Sequence, residues 1–319
     1  MKEFIIGPND SGQRLDRFLK KAIPSLPASL LQRSIRLKRI KVNRKRAQNA
    51  QLLCEGDIVE AYLNDEFFST KENGPLPFLA ARGPIRVVYE DENLLLCDKE
   101  PGLVVHEDES GSPDTLIARI QKYLYEKKEY RPEEESSFAP ALCNRIDRNT
   151  GGIVIAAKNA STLRVMNVLL KERLLDKYYL CIVHGRLSPA RGILKHFLRR
   201  DETKKRVYVF DSPQKDARTA LTKYQVLREN ERFSLVEVEL LTGRTHQIRA
   251  QMAHIGHPLL GDSKYGLARE NKDTGWRYQA LYSYRLVFSA GERAEHLAYL
   301  NGKEFRVDHV PFEQDFDRL

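Results

Sequence analysis

The stretch from Pro140 to Lys158, PALCNRIDRNTGGIVIAAK, limits the fold of this chain more than any other. Two apolar runs close around a sharp turn in which one carboxylate, Asp147, stands between Arg145 and Arg148. Asn149, Thr150, Gly151 and Gly152 follow at once. Ile153 to Ala157 is short, apolar and β-branched, which predicts a buried strand. Gly151 and Gly152 permit a close backbone approach or a positive φ that bulkier residues resist. The flanking cations are expected to keep Asp147 ionised, because an opposite charge nearby favours the charged form. An ionised carboxylate suits a nucleophile or a general base. The same residue types also build turns and structural ion pairs, so this stretch alone leaves both readings open.

Charge adds a second constraint. The 319-residue chain carries a net charge of +9. Residues 1–63 hold thirteen Lys or Arg against six Asp or Glu, so most of that surplus sits in the first fifth of the chain. Such asymmetry predicts a small polyanion-binding module attached to a larger domain. With 41% hydrophobic and 30% charged residues, the chain should fold as a soluble globular protein. Cys54, Cys97, Cys143 and Cys181 are scattered and form no C-x-x-C pair, which fits reduced thiols better than disulfides or structural zinc. The N-terminus lacks a charged-then-apolar signal pattern, and no apolar run approaches a membrane span, so a cytoplasmic protein with no membrane partner is expected.

Along the chain, a strand is expected at Glu3–Ile6 and a helix beginning around Arg14, with Asp10 and Ser11 as candidate caps and Pro24 as its end. A second helix should start near Ser29, with Leu31 and Ile35 facing inward. From Arg33 to Arg46 there are eight basic residues and no acidic one, interrupted by a strand at Ile40–Val42. Arg33, Arg36, Lys38, Arg39, Lys41 and Arg44 are the candidate phosphate contacts, although a charge run can equally be a solvated face. Asp57–Leu63 reads as another strand. With RLDRFL, the I-K-V-N turn and the closing E-G-D-I-V, residues 1–63 resemble the small RNA-binding fold of ribosomal small-subunit protein four. The resemblance implies RNA binding.

Residues 64–84 lose periodicity, collect Pro and Gly, and read as a linker. The larger domain, 85–319, opens with strands and turns, including Leu103–His106. Helices are expected at Asp114–Lys127 and Lys158–Arg173. Alternation in KYYLCIVHG predicts a strand with Tyr178 and Tyr179 on opposite faces. A strand at Phe233–Leu241 leads into TGRTHQIR, where Thr245 is a candidate helix cap and Arg244 and Arg249 could both reach an anion. His246, His254 and His257 lack metal-ligand spacing, since position 250 is Ala, and no metal is expected.

The motifs EDENLLLCDKEPGLVVH, NRIDRNTGG, KYYLCIVHG, TGRTHQIR with HIGHPLLGDSKYG, and YQALYSYRLVF occur in that order. Together they resemble the RluA family of pseudouridine synthases over nearly the whole chain. The resemblance implies an α+β protein: a catalytic domain built on a mixed, largely antiparallel sheet with flanking helices, preceded by a small α/β RNA-binding domain. It implies an isomerase that converts uridine in RNA to pseudouridine, without cofactor or metal. Asp147 matches the catalytic aspartate, Tyr179 the tyrosine that stacks on the target uracil, and Arg249 the arginine that pairs with the aspartate. Arg145, Arg148, Thr150, Arg244, His246, Gln247 and Leu281 are the expected substrate contacts. Asn144 and Gly151 stand where the family usually has His and Ser, which suggests a subgroup. Ribosomal RNA is the preferred partner, transfer RNA the alternative, and a monomer is expected. A noncatalytic RNA-binding scaffold and a metal-dependent RNA hydrolase are the competing classes. The first would have no need of the Asp147, Tyr179 and Arg249 trio, and the second lacks a ligand cluster in the sequence.

Overall fold

The computed structural model describes residues 1–68, 76–107, 111–266, 271 and 275–319. The N-terminal part contains β1 (Lys2–Ile5), α1 (Leu15–Ala22), α2 (Ala28–Arg36), β2 (Ile40–Val42), β3 (Lys45–Arg46) and β4 (Ile58–Ala61). Its strands pair antiparallel in the order β1-β4-β2-β3. Leu15, Phe18 and Leu19 of α1 and Leu31 and Ile35 of α2 pack on Ile40, Val42 and Val59 in one core. Asp10 and Ser11 do not cap α1, whose first residue follows Arg14 with no side-chain cap. Asp10 instead accepts hydrogen bonds from Gln13 and Ser137.

Residues 64–84 are structured at both ends. Phe67 and Phe68 pack on the N-terminal core, and Ser25 Oγ donates to the Phe67 carbonyl at 2.7 Å. Phe78, in a 3-10 turn at Pro77–Ala80, packs among residues of the larger domain. Residues 69–75 of the expected linker lie outside the described residues. A polar seam joins the two parts: Asn9 bonds Glu135 and the Ala160 amide, Gln13 bonds Ser137, and Arg164 donates to the Ser11 carbonyl.

The larger part is one eleven-stranded sheet. Its strands are β5 (Arg86–Glu90), β6 (Leu94–Lys99), β7 (Ala141–Leu142), β8 (Gly151–Ala157), β9 (Leu175–His184), β10 (Arg191–Asp201), β11 (Arg206–Phe210), β12 (Arg218–Glu229), β13 (Phe233–Leu240), β14 (Leu281–Phe288) and β15 (Glu304–Arg306). The order is β11-β10-β12-β13-β9-β14-β8-β6-β5, with β15 on β14 and β7 on β8. Among the described residues only the short β14–β8 contact is parallel. The helices are α3 (Leu116–Glu126), α4 (Ala160–Glu172) and α5 (Gln247–His254). Architecture and helices therefore match the α+β expectation. Leu103–His106 forms no strand, because the Val104 and Val105 carbonyls are taken by the first amides of α3.

Strand alternation sorts the core. Leu94, Leu96, Ile153, Ile155, Leu180 and Ile182 face α4 and the C-terminal turns. Their neighbours Leu95, Cys97, Val154 and Ala156 face the other side under α3. On that second side, Tyr179, Cys181, Val183, Val236 and Val238 lie under Ile248 and Met252 of α5. The second face thus carries separate apolar clusters under α3 and under α5, and the β8–β14 seam runs between them.

Both glycines of the opening stretch are explained at this seam. Gly152 has φ +106, and a Cβ there would lie 2.1 Å from the Ser283 carbonyl oxygen. A Cβ at Gly151 would stand 2.2 Å from the Tyr282 ring. At Gly152 the positive φ and the backbone contact leave room for glycine alone, whereas a side chain at Gly151 would need the Tyr282 ring to move.

Candidate active site

Asp147 sits on the loop entering β8, and several bonds fix that loop. Asn144 Oδ1 accepts the Ile155 amide at 2.8 Å, and the Thr150 amide donates to the Asp147 carbonyl at 3.0 Å. The Arg148 carbonyl accepts from the Gly102 amide at 2.9 Å and from Lys99 Nζ at 2.8 Å. Lys99 is fully buried and also donates to the Glu100 and Leu103 carbonyls, so its three protons tie the turn after β6 to the aspartate loop. Burial pushes its amine down to about 7.

Arg249, on the first turn of α5, donates from Nη1 to Asp147 Oδ2 at 2.8 Å. Behind it stands Asp262, fully buried, which accepts Arg249 Nε at 2.7 Å and Nη2 at 3.0 Å. Burial alone would lower the Arg249 pKa, but the two carboxylates outweigh it and raise it. One guanidinium therefore bridges an interior carboxylate and a partly exposed one. Among the described residues no donor is bonded to Asp147 Oδ1, which leaves that oxygen open.

His246 is close by, with Nε2 3.8 Å from Asp147 Oδ2. Tyr265 Oη accepts the Val207 amide at 2.9 Å and lies 2.8 Å from His246 Nδ1. Burial holds the His246 pKa below its ordinary value, against the pull of Asp147, so the ring is neutral at physiological pH. His246 is also the residue before α5, with φ 52. Thr245 therefore does not cap the helix; the Gln247 side chain accepts the Arg244 amide at 3.0 Å instead.

Tyr179 is buried on the same face. Burial pushes its hydroxyl up to about 12; Ser283 hydrogen-bonds it, and the charge of Asp147 reaches it. Tyr178 faces the other way, beneath the Arg285 guanidinium at 3.7 Å from its ring centre. Leu281 packs in the cluster that contains Tyr179. Thr150 is buried and accepts from Gln279 Nε2 at 3.2 Å, which fixes the chain just before β14.

Three sequence expectations change. Arg145 and Arg148 do not pair with Asp147: Arg145 is exposed, its charge reaching His106, and Arg148 Nε donates to the Gly102 carbonyl at 3.1 Å. Neighbours in sequence leave an irregular turn in different directions, and the pairing cation comes from 102 residues away. Gln247 is no surface contact. It is buried, donating to Leu221 O and Thr222 Oγ1 and accepting from Thr242 and Arg244. Arg244 stands apart from Asp147, its Nε on the Thr219 carbonyl at 3.2 Å. Asp262, Lys99 and Tyr265 were absent from the expectations. An Asp and a Tyr three apart between glycines in GDSKYG were the signal for two of them.

In the N-terminal part, Arg33, Arg36 and Arg46 line an open groove of about 700 Å³ with Gln32, Gln48 and Asn49. The basic run is split between faces. Ile40 and Val42 point into the core, so Lys41 between them points outward, where it lies over the Tyr62 ring at 5.1 Å. Lys38, Arg39 and Arg44 are exposed.

One group among the described residues could hold a cation: His196, Asp211 and His254, with ligand atoms within 4.8 Å of one another. As oriented, Gln251 Nε2 lies 3.0 Å from His196 Nδ1, which leaves the hydrogen on Nε2, the atom a metal would need. Asp211 already bonds His254 Nε2 at 2.8 Å, so the trio is satisfied as a hydrogen-bonded cluster. No helix among the described residues is long and apolar enough to cross a membrane.

The family model described as RNA pseudouridylate synthase matches residues 93–254. An uncharacterised RNA pseudouridine synthase of Mycoplasma genitalium, MG370, is 30% identical, covering 90% of this chain and 88% of the relative. Ribosomal large subunit pseudouridine synthase C of Vibrio cholerae is 28% identical, covering 97% of this chain and 92% of its own. The solved structure of human RNA pseudouridylate synthase domain containing 1 has a similar fold, with a TM-score of 0.58 at 21% identity, covering 77% of this chain and 89% of that one. With a family match over half its length and a 30%-identical relative spanning nine-tenths of it, this chain belongs to the RNA pseudouridylate synthase family.

Proposed function

We propose that this RNA pseudouridine synthase modifies uridines of large-subunit ribosomal RNA, with Asp147 as the reacting carboxylate, Tyr179 as the platform for the detached uracil and Arg249 as the clamp on Asp147. The observation that carries the assignment is the Arg249–Asp147 bond at 2.8 Å, made to Oδ2. The ribosomal target rests on the relatives named for large-subunit RNA.

The isomerisation breaks the bond from ribose C1′ to ring N1, turns the base, and closes a bond to C5. The proton lost from C5 balances the one gained at N1, so no redox partner is consumed. Asp147 must be ionised either to attack C1′ or to remove the neighbouring ribose proton. A guanidinium held in a fixed orientation keeps it aimed. Tyr179 stays a neutral phenol whose ring confines the free base, and the neutral His246 ring stands beside the carboxylate. The target base must leave its stack, at a cost of a few kcal/mol. Residues 1–63 offset that cost as an RNA-binding domain like that of small-subunit protein four, with Arg33, Arg36 and Arg46 on the backbone. The catalytic unit is 85–319, and the protein works as a cytoplasmic monomer.

The test is Asp147→Asn, with pseudouridines mapped in RNA from cells lacking the gene and supplied with either form. Expected is complete loss of conversion with RNA affinity retained. Wild-type conversion by Asp147→Asn would remove Asp147 from the chemistry. Sites restored in transfer RNA alone would move the substrate.

A further inference from the structure

Four cations from separate elements, Arg173, Lys177, Arg218 and Arg244, lie near one another around the start of β9, and none has an acidic partner among the described residues. Lys177 lies two residues before Tyr179 on β9, about 7 Å along the strand. Arg173 follows α4, Arg218 begins β12, and Arg244 lies in the turn before α5. Their closeness shows in how they act on one another. A Cβ at Gly243 would meet Lys177 Nζ at 3.8 Å, so the amine lies against the turn that carries Arg244. Burial and then the charge of Arg173 push the Lys177 pKa down. Burial, then Arg173 and Arg218, do the same to Arg244.

No carboxylate among the described residues pairs with any of the four. The one side-chain hydrogen bond they make is from Arg244 to the Thr219 carbonyl. Elsewhere cations of the same fold are matched, as in Arg119 with Asp114, Lys158 with Glu90 and Arg285 with Glu237. An unmatched group of like charge raises the energy of the free protein and attracts an anion. Arg173 and Arg218 are exposed, so an anion can reach the group from solvent. Guanidinium forks beside a half-buried ammonium suit phosphate oxygens.

We propose that Arg173, Lys177, Arg218 and Arg244 form a phosphate-binding subsite that grips the RNA backbone next to the nucleotide held at Tyr179. This rests on the reading of Tyr179 as the base platform. It adds a contact on the catalytic domain that acts independently of the N-terminal groove.

The test uses the full-length protein, a fluorescein-labelled RNA hairpin for binding, and RNA from cells lacking the gene for conversion. In Arg173→Gln/Arg218→Gln, both changes are at exposed positions. The slope of log affinity against log salt should fall by about 1.4–1.8, as for two lost phosphate contacts, with KM raised roughly tenfold and the loss confined to KM. Arg173→Lys/Arg218→Lys keeps the charge and should restore the slope. If the wild type converts uridine and the Gln pair binds with unchanged affinity and slope, the subsite is refuted while the enzyme assignment stands. If the wild type converts no uridine at all, that assignment fails, and the subsite with it.

Discussion

Asp262→Asn tests whether the position of Asp147 is set from inside the protein. The buried carboxylate accepts Arg249 Nε and Nη2, and its Oδ1 also accepts the Lys264 amide at 2.8 Å and the Tyr265 amide at 3.0 Å. Asparagine keeps one acceptor oxygen, turns an NH₂ group toward a guanidinium that needs an acceptor, and removes the charge opposite Arg249. Losing one charge-assisted bond costs about 1.5–3 kcal/mol, and breaking a buried pair about 3–5 kcal/mol. A destabilisation near 3 kcal/mol corresponds to a Tm lower by roughly 6–12 °C for a unit of this size. The loosened Arg249 should also misplace Asp147, and a displacement of about 1 Å lowers kcat by roughly 10²-fold. RNA affinity should be unchanged, because Asp262 is fully buried. Calorimetry together with single-turnover conversion at saturating RNA measures both effects. A lowered Tm with an unchanged single-turnover rate would refute the positioning role and leave Asp262 as a structural residue. The acid limb gives a second check. Burial would raise the Asp262 pKa, but the Arg249 bonds and the two amides hold it below the ordinary carboxylate value. Its contribution is therefore present above about pH 4 and lost as pH falls through the lower folded value, a loss absent from Asp262→Asn.

Tyr179→Phe should keep most activity, since the ring supplies the stacking surface, whereas Tyr179→Ala should lower kcat by roughly 10²-fold; equal losses in single-turnover assays would assign the chemistry to the hydroxyl. With that hydroxyl pushed up to about 12, its ionisation should not affect the rate below about pH 10. His246 has a folded pKa below its unfolded value, so the wild type should lose stability as pH falls below about 6.5. In His246→Gln the Tm should change less between neutral and mildly acidic pH, and an identical profile would contradict the neutral buried ring. Neutralising Arg36, Lys38 and Arg39 together should weaken RNA binding and reduce the salt slope by about 2, measured by fluorescence titration; unchanged affinity would make the N-terminal run a solvated face.

Local chemistry made much of this protein legible in the sequence. The apolar run after Gly152 read as a buried strand, and alternation in KYYLCIVHG put Tyr178 and Tyr179 on opposite faces, as found. Gly151 and Gly152 announced a close approach, although not that Tyr282 and the Ser283 carbonyl would be what approaches. The family resemblance supplied the pairing of Arg249 with Asp147; the residues around Asp147 pointed instead to Arg145 and Arg148. Those two point elsewhere, because an irregular turn does not hold sequence neighbours against one carboxylate. The division of the basic run between two faces of a small sheet, and the burial of Gln247, likewise follow from how elements pack. Above all, Asp262 behind Arg249 belongs to the tertiary structure. The orientation of a guanidinium is set by which buried acceptors surround it, and those acceptors come together only when α5, the turn after it and the loop before β8 are folded against one another.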